Sequence, residues 1–220
     1  MSVSTENFLK TIYALEVSPE GRLKSAALAD RLQISKAAVT DMLKKLSADG
    51  LVYYEKYSSP SLTKKGQQTA LQIIRKHRLW ETFLHKHLGI PWEKVHAEAE
   101  LLEHASSDYL TKYLDIFMGQ PEFDPHGDPI PDEDGNIPEK DNQILFSDVA
   151  ETGYYRISRI NDNSTELLSF LKKHKLNPGD QFELINLKSK EKVKIKINKK
   201  TVLIDPSLQR NIYLTKIKSK

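Results

Sequence analysis

His96, Glu100, Glu103 and His104 are two imidazoles and two carboxylates spaced at i, i+4, i+7 and i+8. On a helix this spacing puts all four within about 100° of one face, and Val95, Ala99, Leu101 and Leu102 fall outside that arc. Upstream, His77 and Glu81 form an i, i+4 pair on a face of their own helix. Two antiparallel helices would thus turn three imidazoles and three carboxylates toward one another. Imidazole nitrogen with carboxylate oxygen is the donor set of borderline-to-hard divalent cations, and such a face is costly to pack against an apolar core without one. A solvated polar face with incidental histidines is the other reading of the same spacing. A metallohydrolase is disfavoured, because there is no His-Glu-x-x-His and hydrolysis needs an open coordination position beside a substrate pocket. The chain is therefore read as a binding protein and not as an enzyme.

The elements that must hold these residues follow from periodicity and punctuation. Phe8, Ile12 and Leu15 have helical spacing, and Pro19 and Gly21 end that helix. A short Ala/Leu-rich helix spans 24–32, with a tight turn at Gln33-Ile34. Ser35 can cap a third helix from about Lys36 to Ala48, with Val39, Leu43 and Leu46 facing inward and Gly50 beyond its end. Residues 51–57 read as a strand, Ser58-Ser59-Pro60 as a turn and 61–63 as a returning strand. Long helices follow at about 64–88 and 93–118. From 120 to 142, five of the ten prolines and eight acidic residues make an extended loop. Beyond it the pattern is short strands, at 154–160, 182–187, 193–197, 201–204 and 211–217, with one helix at 164–174. That is a small β-barrel-like module, and no internal repeat is evident.

Two short helices joined by a tight turn and followed by a two-stranded ribbon make a winged helix-turn-helix pattern. The second of those helices would enter the DNA major groove, with Ser35, Lys36, Ala37, Ala38, Thr40 and Asp41 as its exposed candidates. Thr40 and the alanine methyls suit base edges, whereas Lys36, Lys44 and, in the wing, Lys56 suit phosphates. A winged helix used for protein contacts has the same pattern. Charge favours DNA: residues 22–78 carry 12 Lys/Arg against 4 Asp/Glu. The balance then inverts to 3 against 16 over residues 91–151 and returns to 16 against 6 over 152–220. Modules with different partners fit this layout, as does ordinary surface charge with one acidic loop.

Composition narrows the class further. With 220 residues, 39% hydrophobic and 29% charged, the chain suits two to three small soluble domains. Cysteine is absent, which excludes disulfides and thiolate metal sites and fits a reducing cytoplasm. No apolar run approaches the roughly 20 residues of a membrane span, and the first residues do not read as a signal peptide. Neither a membrane nor a small-molecule substrate is expected as a partner.

Several of these segments also carry a family resemblance. They include residues 6–13, 39–46, 54–57, 62–66 and 75–81, and most specifically 95–104 and Asp124-Pro125-His126-Gly127-Asp128-Pro129-Ile130-Pro131. Over essentially its whole length the chain resembles the diphtheria toxin repressor and manganese transport regulator family of metal-dependent repressors. The resemblance implies a mainly α protein with β structure, in three domains. These are an N-terminal winged helix-turn-helix (1–72), a helical metal-binding and dimerisation domain with the Pro/acidic loop (73–142), and a C-terminal SH3-like, FeoA-like small β-barrel (143–220). It implies a homodimer on a palindromic double-stranded operator, and two metal sites per subunit. The primary site would use Asn7, Glu100, Glu103 and His104, and the ancillary site His77, Glu81 and His96.

The chain also departs from that pattern. Asn7 stands where relatives carry Met or Asp, Lys10 where manganese-selective members carry Glu, and Glu100 where iron-type members carry Cys. The Lys10 position argues against two closely bridged ions. An all oxygen-and-nitrogen site favours Mn(II) or Fe(II) by hardness, although Zn, Ni or Co can bind it more tightly in vitro. In iron-type relatives the SH3-like domain lends ancillary ligands. Asp162 and Glu166 are the candidates here, beside a capping role at the Ser164 helix. The expected function is metal-activated transcriptional repression of metal-homeostasis genes. The alternative is a winged-helix regulator that answers to an organic ligand or a protein partner, with the His/Glu cluster structural.

Overall fold

Ser2 opens the first helix in the computed structural model, which describes residues 1–18, 23–56, 58–139, 142–161, 164–187, 192–198 and 200–218. Its hydroxyl accepts the Thr5 N–H, and α1 runs Val3–Glu16. α2 (Ser25–Leu32) ends at Gln33, whose φ of 54° makes the expected tight turn. Ser35 caps α3 (Lys36–Ala48) by accepting the Ala38 N–H at 3.1 Å. The inward faces of these helices, among them Phe8, Ile12, Leu28, Val39, Leu43 and Leu46, close into one apolar cluster.

The ribbon is shorter than its composition suggests. β1 (Val52–Tyr53) pairs antiparallel with β2 (Ser61–Leu62), and Tyr57 lies outside the described residues. The Glu16 carboxylate accepts the Leu62 N–H at 2.8 Å, which ties the root of the wing to α1. α4 (Lys64–Lys86) starts where the Thr63 hydroxyl accepts the Gly66 N–H at 3.0 Å. A Cβ at Gly66 would lie 1.9 Å from the Leu51 carbonyl oxygen, so this close approach of helix to ribbon requires glycine.

The spacing predicts a single helix from about Glu93 to Met118, whereas the structure has two. α5 is Trp92–Ala105 and α6 is Asp108–Phe117. The Ser106 hydroxyl donates to the Leu102 carbonyl at 2.6 Å and accepts the Trp80 indole N–H at 2.6 Å. Ser107 then restarts the helix by accepting the Leu110 N–H at 3.2 Å. On α6, Leu114 and Asp115 are buried, while Tyr109, Tyr113, Ile116 and Phe117 are exposed. The Asp115 carboxylate is compensated by Arg75 at 2.8 Å, and Arg75 also donates to the Pro131 carbonyl at 2.7 Å.

The chain falls into two units, Met1–Trp80 with Ala99–Phe117 and Pro131–Ile137, and Glu81–Glu98 with Met118–Ile130 and Pro138–Lys220. The second unit is dominated by an antiparallel sheet of six strands. Its members are β3 (Gln143–Leu145), β4 (Gly153–Ile160), β5 (Gln181–Asn186), β6 (Val193–Ile197), β7 (Lys200–Ile204) and β8 (Ile212–Ile217). Their spatial order is β3-β8-β4-β5-β6-β7. This is the small β module that the strand pattern implies, and the SH3-like domain that the family resemblance implies. Along β6, Val193, Ile195 and Ile197 enter the core while Lys194 and Lys196 cover the outer face. α7 (Thr165–His174) is capped by Ser164, and a short α8 (Pro206–Gln209) precedes β8.

Among its described residues the proline-rich acidic stretch contains no helix, as its composition suggests, but it holds two turns of one design. Asp124 Oδ1 accepts the N–H groups of His126 and Asp128 at 2.8 and 2.9 Å. Eight residues on, Asp132 Oδ1 accepts those of Asp134 and Asn136 at 2.9 and 2.8 Å. In each turn the glycine three residues after the aspartate, Gly127 or Gly135, has a positive φ, of 86° or 84°. This short duplication goes undetected in the sequence reading.

Candidate metal centre

In the first unit, α5 brings ligand atoms of Glu100, Glu103 and His104 within 4.8 Å of one another. The Glu103 side chain is 0% exposed. A bare carboxylate at such a depth would cost several kcal/mol, and the chain surrounds this one with donors. Lys10 Nζ donates to Glu103 Oε1 at 2.6 Å and to Glu100 Oε2 at 2.7 Å. His77 Nδ1 pairs with the other Glu103 oxygen. On α1, Glu6 Oε2 meets His104 Nδ1 at 2.6 Å. In the neutral imidazole that bond would place the proton on Nδ1 and the lone pair on Nε2.

His104 Nε2 is buried and makes no hydrogen bond. It lies 3.4 Å from Glu103 Oε1 and 3.7 Å from Glu100 Oε1. An imidazole oriented by a carboxylate at one nitrogen, with the lone pair of the other aimed at further carboxylates, is the arrangement a metal-ligating histidine requires. Asn7 Oδ1, also on α1, is a second buried acceptor without a hydrogen bond. Leaving such atoms unsatisfied costs about 1–3 kcal/mol each, and a cation would satisfy both. The donor set therefore fits a divalent ion.

A second cluster lies in the other unit. Glu81, Asp124 and His126 are all buried, and their ligand atoms also lie within 4.8 Å of one another. Glu81 Oε2 is 3.7 Å from His126 Nδ1, and Glu81 Oε1 accepts from His96 Nδ1 at 3.1 Å. The loop is fastened to β4: the His126 carbonyl accepts the Ile160 N–H at 2.9 Å, and Arg159 pairs with Asp128 at 2.9 Å. A Cβ at Gly127 would lie 2.1 Å from the Ser158 carbonyl oxygen. The Trp92 ring packs edge-on against His126 with centroids 5.1 Å apart, and its N–H donates to His85 at 2.7 Å.

The expected primary residues Glu100, Glu103 and His104 thus come together, and Asn7 supplies an unsatisfied oxygen on α1. Of the expected ancillary residues, Glu81 and His96 are bonded to each other, while His77 is bonded to Glu103. Sequence reasoning missed Glu6 and Lys10 as partners of the first cluster, and Asp124 and His126 as members of the second. The available signal was Asp124-Pro125-His126-Gly127, an aspartate-led turn with an imidazole at its third position. Asp162 lies outside the described residues, and Ser164 caps α7 by accepting the Leu167 N–H at 3.2 Å.

On the expected DNA-reading element, Ser35, Lys36, Ala37, Ala38, Asp41, Lys44 and Lys56 are exposed and Thr40 is half-buried. The Thr40 hydroxyl donates to the Lys36 carbonyl at 3.0 Å, so its methyl and its oxygen lone pairs are what it can offer a base edge.

Three family models match the chain. They are the iron dependent repressor N-terminal DNA binding domain over residues 1–59, its metal binding and dimerisation domain over 63–132, and the FeoA domain over 145–216. The iron-dependent repressor IdeR of Mycobacterium leprae is 38% identical over 128 residues, which is 58% of this chain and 55% of that relative. The chain thus matches about half the length of such mycobacterial relatives. The diphtheria toxin repressor of Corynebacterium efficiens is 32% identical over 195 residues, covering 83% of each chain. A solved manganese-dependent transcriptional repressor in complex with manganese superposes with a TM-score of 0.87 at 29% identity, covering 97% of this chain and all of that one. The fold and the relatives define a class, the metal-dependent transcriptional repressors. Within that class, this chain belongs to the iron-dependent and diphtheria toxin repressor family. Among the described residues no helix is long and apolar enough to cross a membrane.

Proposed function

We propose that the chain is a cytoplasmic, homodimeric repressor whose affinity for a palindromic DNA operator is raised by Mn(II) or Fe(II), and that it controls genes of metal homeostasis. The observation that carries this reading is His104. Its Nδ1 is held by Glu6 of the winged-helix domain, and its buried Nε2 faces Glu100 and Glu103 without a hydrogen bond. Glu100, Glu103, His104 and the Asn7 side-chain oxygen are the primary ligands in this proposal. A divalent ion would satisfy the two carboxylates, the His104 Nε2 and the Asn7 oxygen together. Glu6 orients the imidazole, and Asn7 joins the ligand set from α1, whose apolar residues share one core cluster with those of the reading helix. Loading therefore favours one placement of α1, and DNA affinity rises by the same coupling factor as metal affinity.

Glu81, Asp124 and His126, with His96 at the edge, form the ancillary site in this reading, and His77 serves the primary one. The exposed apolar side of α6, with Tyr109 72% and Phe117 66% exposed, is the dimerisation face. Ser35, Lys36, Ala37, Ala38, Thr40, Asp41, Lys44 and Lys56 contact DNA. The division into 1–72, 73–142 and 143–220 belongs to the same proposal.

The test is fluorescence anisotropy on DNA from the protein's own gene neighbourhood, anaerobic and at fixed salt. Metal-free protein is compared with Mn(II)- and Fe(II)-loaded protein. A tightening of about a hundredfold, the upper range of allosteric coupling, is expected and should vanish in Glu103→Ala/His104→Ala. Equal binding with and without metal would overturn the reading in favour of an organic or protein effector.

A further inference from the structure

Lys10 places an ammonium on the primary carboxylates. It bridges Glu103 Oε1 at 2.6 Å and Glu100 Oε2 at 2.7 Å, reaching from α1 to α5. Its side chain is 21% exposed and the Glu103 side chain is 0% exposed, so this is not a solvent-screened surface pair. Glu103 Oε1 is also the oxygen 3.4 Å from the orphaned His104 Nε2, while on Glu100 Lys10 takes Oε2 and leaves Oε1 facing that nitrogen at 3.7 Å. A cation held between His104 Nε2 and Glu103 would thus meet the Lys10 ammonium at Glu103 Oε1.

We propose that Lys10 is a built-in competitor for the metal site, a tethered cation that must leave the carboxylates before a divalent ion can load. This rests on the primary site proposed above and adds its regulation: Lys10 sets the metal concentration at which the protein responds. It stabilises the metal-free state, because charge-assisted bonds to buried carboxylates are the stronger kind. By the same energy it weakens metal binding. It also changes what joins the helices. Asn7 lies three residues, or about 4.5 Å along the helix axis, before Lys10. Loading therefore moves the grip on α1 from Lys10 toward its N-terminus.

A purely structural lysine and a competing lysine predict opposite signs. Lys10→Met keeps the length and apolar stem and removes the charge. Metal-free full-length protein should then melt about 3–5 °C lower, given roughly 2–4 °C per kcal/mol at this chain length. Its dissociation constant for Mn(II), read from the free-ion signal in electron paramagnetic resonance, should fall about tenfold. Lys10→Arg retains a cation and should leave both quantities near wild type. Tighter Mn(II) binding by Lys10→Met with a less stable metal-free form supports the proposal. Unchanged or weaker Mn(II) binding overturns it, whatever the melting temperature does. Failure of the underlying site is a separate result: Glu103→Ala/His104→Ala would then bind as many Mn(II) ions, as tightly, as wild type.

Discussion

Two of the His/carboxylate clusters each combine two carboxylates with one imidazole and are compensated in different ways. The carboxylates of Glu100 and Glu103 accept from an ammonium of the same chain, Lys10. At the cluster of Glu81, Asp124 and His126, two imidazoles face the two Glu81 oxygens and an aspartate-led turn fixes the loop. The first is made by side chains of one helix, α5, with Lys10 of α1 bonded to its carboxylates, and in the proposed reading its occupancy bears on where α1 is held. The second is fixed by backbone hydrogen bonds to a sheet.

The largest effect that would sharpen this contrast concerns reporters already in the chain. The two tryptophans fall one on each side: Trp80 donates to Ser106, and Trp92 packs on His126. With Trp92→Phe, Mn(II) titration should still change the emission of Trp80. With Trp80→Phe, the response of Trp92 should disappear on adding His126→Ala but survive Glu103→Ala/His104→Ala. Loss of both signals through either set of ligand changes would dissolve the distinction between the clusters.

A smaller effect separates the twin turns. Gly127→Ala drives a methyl into the Ser158 carbonyl oxygen, 2.1 Å away, at a positive φ. It should destabilise the protein by about 3 kcal/mol and weaken metal binding at Glu81 and His126. Gly135→Ala meets only the Leu71 side chain at 3.4 Å and should cost about 1 kcal/mol, the price of the backbone conformation alone. Denaturant unfolding of both variants checks the order, and equal costs would contradict it.

The smallest effect is a pH dependence. The Asn136 side chain and nearby backbone N–H groups hold the Asp132 carboxyl below its ordinary value of 3.8. A lowered folded pKa stabilises the fold above the unfolded value, and that contribution is lost as pH falls through the folded one. Asn136→Ala should therefore lower stability at pH 6 by no more than about 0.5 kcal/mol, and the difference should shrink as the pH falls below 3.8. A difference that grows with acid would assign the effect to another group.

The sequence made the primary cluster legible because its members share one helix, where i, i+4, i+7 and i+8 fixes a common face. Ser35, Val39, Leu43 and Leu46 were legible for the same local reason. What escaped depends on tertiary contact. Lys10 belongs to α1, and nothing in its own segment announces the carboxylates of α5. Asp124 and His126 join Glu81 across about forty residues of chain, from a loop without periodicity. The break at Ser106 escaped because apolar spacing continues across it and its cause is an indole N–H from α4. β3 escaped because three residues carry too little pattern to announce a strand.

The twin turns have a consequence for how such a site can arise. One backbone design, an aspartate cradling two N–H groups ahead of a left-handed glycine, appears twice within sixteen residues, once with His126 and once with Asp134 at its third position. The geometry therefore does not depend on which side chain occupies its third position. A loop of this kind can gain or lose a donor by exchanging a single side chain while its scaffold stays put, so coordination can be tuned between lineages without refolding anything.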